Sequence, residues 1–438
     1  SGAYPNFDHS AATNLSSTWY NCSSITTFGS SLNDLAVATN YYQAWRGCSS
    51  ITSFPEITIP TDQGAVNLSN SWTSCTNLES MPAGLTTGAV TNMAGAWSGC
   101  ASLETFPTYD TSNVISLQSA WSGCSSLDNI TNAGAATSFP LLDTSKVTNI
   151  RGAWTNCSSM TVFPLIDTSQ VTNILGFYGA QDGAWQNCSG LTGSFPAINL
   201  SKCSNFTRGW QGCSNITFFP DVTPTVASNF DFAWAGCSSL QYFSFMETPA
   251  LASISGAWSG CSSLNNITYP GSTDTTSFPL IDTSNVTNAD RAWNGCSSMT
   301  VFPALDLSQV VRLGYPIFGG AWQGCTSLTS FPAIQFDSAL YLGKSWYNCS
   351  SLADFPANCF DNTPGTEFNE AFRGCALTAA SIENILVSIN TANTSNGTLG
   401  LNGGTNANTS TWTTAANNAY IALIGRGWTI TQNGTAPS

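Results

Sequence analysis

The chain has 438 residues, of which 42% are apolar, 12% aromatic and only 8% charged, and its formal net charge is −14. That acidity argues against nucleic acid and anionic lipid as partners, because both are held by basic patches. No run of about 18 apolar residues exists, so no segment is predicted to span a membrane as a helix.

Ser, Thr, Asn and Gly take the place of the missing charges, a composition common on proteins that work outside cells. In chain order, there is no secretion signal and no initiator Met, so the chain is expected to be a processed product or a piece of something longer. The segment Asp8 to Asn14 already matches Asp282 to Asn288, each with an aromatic eleven residues after the Asp. The chain therefore starts inside a repeat, and its N-terminal end is expected to be uncapped, which is an association hazard.

From Trp19 onward one phrase recurs, most complete at Ala120-Trp121-Ser122-Gly123-Cys124-Ser125-Ser126-Leu127. Its Cys returns as Cys22, Cys48, Cys75, Cys100, Cys124, Cys157, Cys188, Cys213, Cys237, Cys261, Cys296, Cys325, Cys349 and Cys375, fourteen copies with a shortest spacing of 24. Three residues before each stands an aromatic, Trp in all but the last, where it is Phe372. A period in this range marks a solenoid, whose units bury their apolar faces only by stacking on one another.

One unit, Cys157 to Cys188, reads as follows. Met160, Val162 and Phe163 suggest a short strand that Pro164 stops. Asp167-Thr168-Ser169 reads as a turn whose side chains bond nearby amides. Val171-Thr172-Asn173 is a second extended piece, and a short helical or 3₁₀ corner carries Ala184-Trp185. The residue before the Cys is Gly or Asn in thirteen of fourteen units, the types that accept a left-handed backbone cheaply. An Asn column, among it Asn92, Asn149, Asn229 and Asn288, is predicted to point inward and satisfy backbone groups at the corner. Trp121, Trp154, Trp258 and Trp293, with Cys124, Cys157, Cys261 and Cys296, are predicted interior ladders. The cysteines read as buried thiols. Disulfides between adjacent rungs are the alternative, since rungs about 4.8 Å apart come within disulfide reach.

Ala-aromatic-x-Gly-Cys-x-x-Leu-x-x-Phe-Pro, with the Asp-Thr-Ser-x-Val-Thr-Asn segments at Asp143 to Asn149 and Asp282 to Asn288, resembles the BspA-type leucine-rich repeat of bacterial surface and phage tail proteins. The likeness covers residues 8 to 375. It implies a right-handed solenoid of about fourteen units with a parallel sheet along one face. It also implies an adhesin or binding surface, not an enzyme.

A longer period is superposed. Cys100 to Cys237, Cys124 to Cys261 and Cys188 to Cys325 are each 137 residues apart, as if blocks of five units had been duplicated. Insertions at Asn129 to Thr137, Leu175 to Gly183, Asn266 to Thr276 and Arg312 to Gly320 are copied with their blocks. They carry Phe177, Tyr178, Gln181, Asp182, Tyr269, Asp274, Tyr315 and Phe318, the candidate partner-binding residues, since aromatics beside polar groups suit glycans or proteins. After Cys375 the pattern changes. Thr378 is placed to cap a helix over 379–389, a strand is predicted at 398–401, a second helix at 411–424 and a last strand at 428–431. Residues 1–375 are thus predicted as solenoid and 376–438 as an α/β cap.

No nucleophile elbow, phosphate loop or metal motif occurs, and the single His9 has no Cys or carboxylate cluster around it. No cofactor is implied, although Ca²⁺ between successive turn aspartates (Asp110, Asp143, Asp167, Asp282, Asp306) is conceivable. Asn129, Asn266 and Asn393 are the candidate glycosylation sites. The leading expectation is a non-enzymatic extracellular, cell-surface or virion-surface protein that binds a cell-surface glycan or protein. The alternatives are a fibre subunit that joins copies of itself end to end, and an ice-binding face built on Thr144, Thr168 and Thr283.

Overall fold

The computed structural model describes residues 2–437 apart from 6, 30–31, 33–34, 36, 129–141, 176–182, 245, 266–280, 316 and 318. The chain divides into two compact units, Ser1–Ile216 and Thr217–Ser438, each made of stacked rungs.

In unit 1 the named strands are two or three residues long: β1 (Ala3–Tyr4), β2 (Thr27–Phe28), β3 (Val66–Asn67), β4 (Val90–Asn92) and β5 (Gly193–Ser194). Between them, single parallel bridges carry the ladder on, from Asn14 through Asn40 to Asn67 and from Asn92 through Ser116 and Asn149 to Asn173. The extended stretch alternates as a strand must. Val66 and Leu68 are fully buried, and Asn67 between them is half-buried. The Asn column is therefore not inward. Each Asn uses its Oδ1 to accept the N–H two residues on, as Asn67 does from Ser69 at 2.9 Å and Asn92 from Ala94 at 2.9 Å. That local turn needs the side chain on the outer side of the strand.

The corner is a run of overlapping turns instead of a continuous short helical or 3₁₀ piece. In the rung of Trp45, the amides of Ala44, Arg46 and Cys48 donate to the carbonyls of Tyr41, Gln43 and Trp45 at 3.0, 3.2 and 3.1 Å. The alternate amides, Tyr41, Gln43, Trp45 and Gly47, donate to Asn67, Ser69, Ser71 and Thr73 of the next rung at 2.9, 3.1, 2.9 and 2.8 Å. A helix cannot do this, because all its amides point one way along its own axis. The alternation needs left-handed residues at two places, Gln43 (φ 56°) and Gly47 (φ 75°). The second is the Gly/Asn column. The first recurs at Ser17, Asn70, Ser119 and Arg208 in unit 1 and at Phe232, Arg291, Lys344 and Glu370 in unit 2.

The interior is an aromatic stack. From Trp19 to Trp210, successive indoles lie 5.1–5.8 Å apart and within 12° of parallel. In unit 2 the stack runs from Trp234 through Trp258, Trp293, Trp322 and Trp346 to Phe372 at 4.8–6.0 Å. The Phe of the Phe-Pro step stands edge-to-face between two indoles, as Phe106 does at 4.7 Å from Trp97 and 5.2 Å from Trp121. The indole N–H groups of Trp45, Trp72, Trp97, Trp322 and Trp346 meet no hydrogen-bond acceptor among the described residues. The perpendicular Phe faces are the surfaces that can receive them.

The cysteines are free thiols, all buried but Cys22, so no rung is cross-linked among them. They are more than apolar fillers. The Cys100, Cys124 and Cys157 Sγ atoms donate to the carbonyls of Trp72, Trp97 and Trp121, each in the preceding rung, at 3.1, 3.2 and 3.1 Å. In unit 2 Cys261 and Cys296 do the same to Trp234 and Trp258 at 3.2 and 3.3 Å. Thr144, Thr168 and Thr283 are buried at 1–2% exposure. The first two donate to the carbonyls of Asp167 and Asn199 one rung on. They form no flat exposed array, which removes the ice-binding alternative.

The first indole is covered, not bare. Tyr4 lies 5.6 Å from Trp19 and His9 5.4 Å, both edge-to-face, and Trp19 is 2% exposed. Strand β1 pairs with β2 in parallel beside them. Two residues carry no legible period, so nothing in the sequence announces this contact.

Unit 2 has β6 (Ile216–Phe219), β7 (Tyr242–Phe243), β8 (Arg312–Tyr315), β9 (Gly319–Gly320), β10 (Tyr341–Leu342), β11 (Glu367–Phe368), β12 (Thr398–Gly400) and β13 (Thr429–Thr431). Helices α1 (Ala379–Thr391) and α2 (Thr414–Gly425) pack on each other. Thr378 caps α1 through the Ser381 amide, and Ile382, Ile385, Leu386 and Ile389 are its buried stripe. Helix α2 starts later than expected, because Asn408 caps a 3₁₀ turn at Thr409–Thr411 and Trp412 is extended. Strands β12 and β13 extend the parallel ladder from β11, with Glu367 opposite Thr398 and Thr398 opposite Thr429. The last residues thus continue the rungs, with helices in place of the loose outer segment.

Candidate binding surface

The second and fourth insertions leave the chain just after the ladder positions Asn173 and Arg312; the first and third lie outside the described residues. The fourth is a hairpin: β8 and β9 pair antiparallel, Gly314 with Gly320 and Tyr315 with Gly319. The second is closed at its root by an antiparallel bridge between Leu175 and Gly183. Phe177, Tyr178, Gln181, Asp182, Tyr269, Asp274 and Phe318 lie outside the described residues, as do Asn129 and Asn266. Of the candidate partner-binding residues, Tyr315 alone is placed. It is half-buried, 5.3 Å from the Tyr341 ring, with the Arg312 guanidinium 5.7 Å from its centroid. Asn393 is exposed just past the α1 C-cap, at φ 56°.

Cations collect on this corner. Arg312, Arg291, Lys344 and Arg373 are four of the ten Lys and Arg in the chain. Lys344 Nζ and Arg373 Cζ lie 5.8 and 6.0 Å from the Tyr347 ring centroid, and Glu370 pairs with both. In unit 1, Arg46 sits 5.8 Å over Tyr20. Cations over ring faces are attracted by the quadrupole and hold both side chains in place.

Beside Tyr315 the surface opens into a pocket of about 280 Å³, lined by Phe232, Ser255, Asn288, Asp290, Arg291 and Arg312. The ladder builds it. Ser253 bridges Asn288, and Asn288 bridges Arg312, which stands where the Asn column would put an Asn. Asp290 is 8% exposed. Its N–H donates to Asn288 Oδ1 at 3.1 Å, and its Oδ2 meets Arg312 Nε at 3.1 Å. No donor among the described residues reaches Asp290 Oδ1. Burial pushes the Asp290 carboxyl above its ordinary range, and the Arg312 charge pulls it back only in part. Asp231, whose Oδ1 accepts the Ser255 amide at 3.0 Å and the Ser253 hydroxyl at 2.5 Å, adds a second negative charge. Phe232 holds a left-handed φ of 55°, costly for a bulky side chain, and its N–H is fixed by the Ser255 carbonyl at 2.8 Å.

This pocket escaped the sequence reading. Its one signal was the break in register, Arg312 in place of the ladder Asn. The predicted ladder residues lie elsewhere: Trp121, Trp154, Trp258 and Trp293 in the stack, Cys124, Cys157, Cys261 and Cys296 beside it, and Asn92, Asn149, Asn229 and Asn288 half-buried on the outer side. The turn aspartates hold hydroxyls and amides: Asp110 and Asp143 accept the Ser112 and Ser145 amides at 3.0 Å each. Among the described residues no group of three His, Cys, Asp or Glu is placed to hold a metal ion. No helix among them is long and apolar enough to cross a membrane.

No protein-family model matches the chain, and no curated protein matches it. Among solved structures it is similar to a leucine-rich repeat protein from Eubacterium ventriosum, at 12% identity over 86% of this chain and 89% of that one, with a TM-score of 0.28. It is also similar to the TLR13–ssRNA13 complex, at 11% identity over 86% of this chain and 65% of that one, with a TM-score of 0.13. Superpositions this loose carry no argument, so the repeat-solenoid assignment stands on the chain's own ladders and stack.

Proposed function

We propose that this chain is a non-enzymatic binding protein of the BspA-type leucine-rich repeat class, displayed outside a cell or on a virion. In this reading its fourteen aromatic-to-Cys phrases form right-handed rungs, and the rungs hold a recognition surface for a glycan or protein of another cell. The observation that carries the reading is the corner surface. Backbone amides locked within and between rungs hold Tyr20 with Arg46, Tyr315 with Arg312, and Tyr347 with Lys344 and Arg373 as fixed aromatic–cation pairs. Rigid aromatics with one polar neighbour give contact area at low entropic cost. The fourth insertion, which carries Tyr315 on its hairpin, adds reach.

The test deletes residues 176–182 and 316–318, closing each root with a Gly-Gly turn, and measures binding of the full chain to a panel of cells. Adhesion should be lost while the circular dichroism spectrum and melting temperature stay as in the parent. Undiminished adhesion would refute the assignment of the insertions as the contact surface. Absence of adhesion by the parent to every cell tested would refute the adhesive reading.

A further inference from the structure

We propose that the Asp290–Arg312 pocket is a binding site for one pyranose unit of a neutral glycan. The inference rests on the adhesive reading and gives it a specific site. Four observations point the same way. First, Asp290 Oδ1 is buried with no donor among the described residues. A buried acceptor left open costs about 1–3 kcal/mol, and a ligand hydroxyl would satisfy it once the Asp290 side chain turns it toward the pocket. Second, the charges cancel. Asp231 and Asp290 are matched by Arg291 and Arg312, so nothing favours an ionic ligand over a neutral one. Third, the polar groups suit a polyol. A carboxylate accepts from one hydroxyl while the neighbouring guanidinium donates to the next. Asn288, whose Oδ1 is taken by the Asp290 amide at 3.1 Å, keeps its amide donors for a third. Phe232 supplies the apolar wall a sugar C–H face needs. Fourth, the size fits one ring. At about 280 Å³ the pocket falls just under the usual ligand range, which is roughly 300–1,000 Å³.

The duplicated block supplies a control inside the molecule. By register, Gly95, Gln118, Arg151 and Gly152 stand where Phe232, Ser255, Asp290 and Arg291 stand. There the polar groups are used up: Asn149 Nδ2 donates to Gln118 Oε1 at 3.2 Å, and Arg151 Nε donates to the Leu175 carbonyl. Trp, Cys and Ala of the same rungs are unchanged between the blocks. The interior was copied, while the pocket positions changed chemical type and left one acceptor open.

The test is saturation-transfer NMR on the full chain with methyl α-D-mannopyranoside, methyl β-D-galactopyranoside and N-acetyl-D-glucosamine as probes. At least one should receive transfer. Its affinity should fall tenfold or more in Asp290→Asn and fivefold or more in Arg312→Met, and hold in Asp306→Asn. Arg312 has a 45% exposed side chain, so its variant reports on the pocket even if Asp290→Asn unfolds. No transfer from any probe, or wild-type affinity in both pocket variants, would overturn the site. Cell adhesion measured on the same proteins separates the two claims. Adhesion without pyranoside binding sinks the pocket alone, and pyranoside binding without adhesion sinks only the adhesive reading.

Discussion

Replacing Cys124 by Ser and by Ala asks whether the sulfur column is an apolar filler or a hydrogen-bonded ladder. Cys124 is fully buried, and its Sγ donates to the Trp97 carbonyl at 3.2 Å. That carbonyl also accepts the Cys100 amide at 3.0 Å. Alanine removes one sulfur, of about methylene size. The transfer term is about 0.8 kcal/mol, with a cavity term added, and no acceptor is orphaned. Losing a weak S–H bond adds at most about 1 kcal/mol. Cys124→Ala should therefore cost about 1–2 kcal/mol. Serine separates the two cases. In an apolar slot its hydroxyl would be unpaired and would cost a further 1–3 kcal/mol or so. Facing the Trp97 carbonyl, it takes over the donor role, and Cys124→Ser should be no less stable than Cys124→Ala. The measurement is urea denaturation of both variants, followed by indole fluorescence. A serine variant less stable than the alanine one by more than about 1 kcal/mol would refute the hydrogen-bonded ladder.

The thiols give a second test: burial pushes Cys188, Cys325 and Cys375 up to about 12, so iodoacetamide at pH 8 should label only Cys22 quickly, and mass spectrometry showing several fast sites would contradict the fold. Gly123 has φ +78° and a Cβ there would meet Gly99 Cα at an ordinary 3.5 Å. Gly123→Ala should therefore cost a purely conformational 1–2 kcal/mol or so, and Gly123→Asn less, as Asn156 and Asn187 hold the same place at φ 62° and 59°; both are read from thermal melts. Trp121→Ala removes a ring stacked on Trp97 and Trp154 and should cost about 3–5 kcal/mol, whereas Trp121→Phe should cost far less, because Phe372 stacks on Trp346 at 4.8 Å. Hydrogen bonds from Ser112, Ser145 and Ser284 hold Asp110, Asp143 and Asp282 below the ordinary carboxylate range. Their folded values lie under the unfolded ones, so their stabilisation is present above the ordinary carboxylate pKa and lost as pH falls through the folded values. Asp143→Asn should narrow the gap between melting temperatures at pH 7 and pH 3, by a small amount because the group is exposed.

The rungs were legible because their determinants are side-chain types that must recur. A stack of indoles needs an aromatic at the same place in every turn, and Gly or Asn before the Cys reports a left-handed backbone. What was hidden is what side-chain identity does not encode. Gln43, Arg208, Phe232 and Lys344 hold φ near 55–60°, yet none of these types signals it. Neighbouring rungs impose the conformation through their carbonyls. The Asn column announced a role but not a direction, since an Asx bond to the amide two residues on works only from the outer side. The Cys–Trp bonds were invisible because they join residues a full rung apart. The fourth insertion was legible as an insertion, but its hairpin and the pocket at its root depend on bridges between Asn288, Arg312 and Tyr341.

The same geometry explains how a repeat this uniform can acquire a distinctive site. In a single-core domain, a bulky residue at positive φ beside a buried carboxylate would endanger the fold. Here the backbone at Phe232 is held by the Ser255 carbonyl at 2.8 Å and that at Gly256 by the Asp290 carbonyl at 2.7 Å. The Trp234–Trp258–Trp293 stack beneath them is indifferent to what the outer face carries. Stability is summed over rung interfaces, so the local penalty of an open acceptor falls on a surface whose backbone is already fixed from both sides. Chemistry can therefore vary at the corner positions while Trp, Cys and Ala stay constant. Phe232, Asp290 and Arg312, set against Gly95, Arg151 and Asn173 in the sister block, are where that freedom has been used.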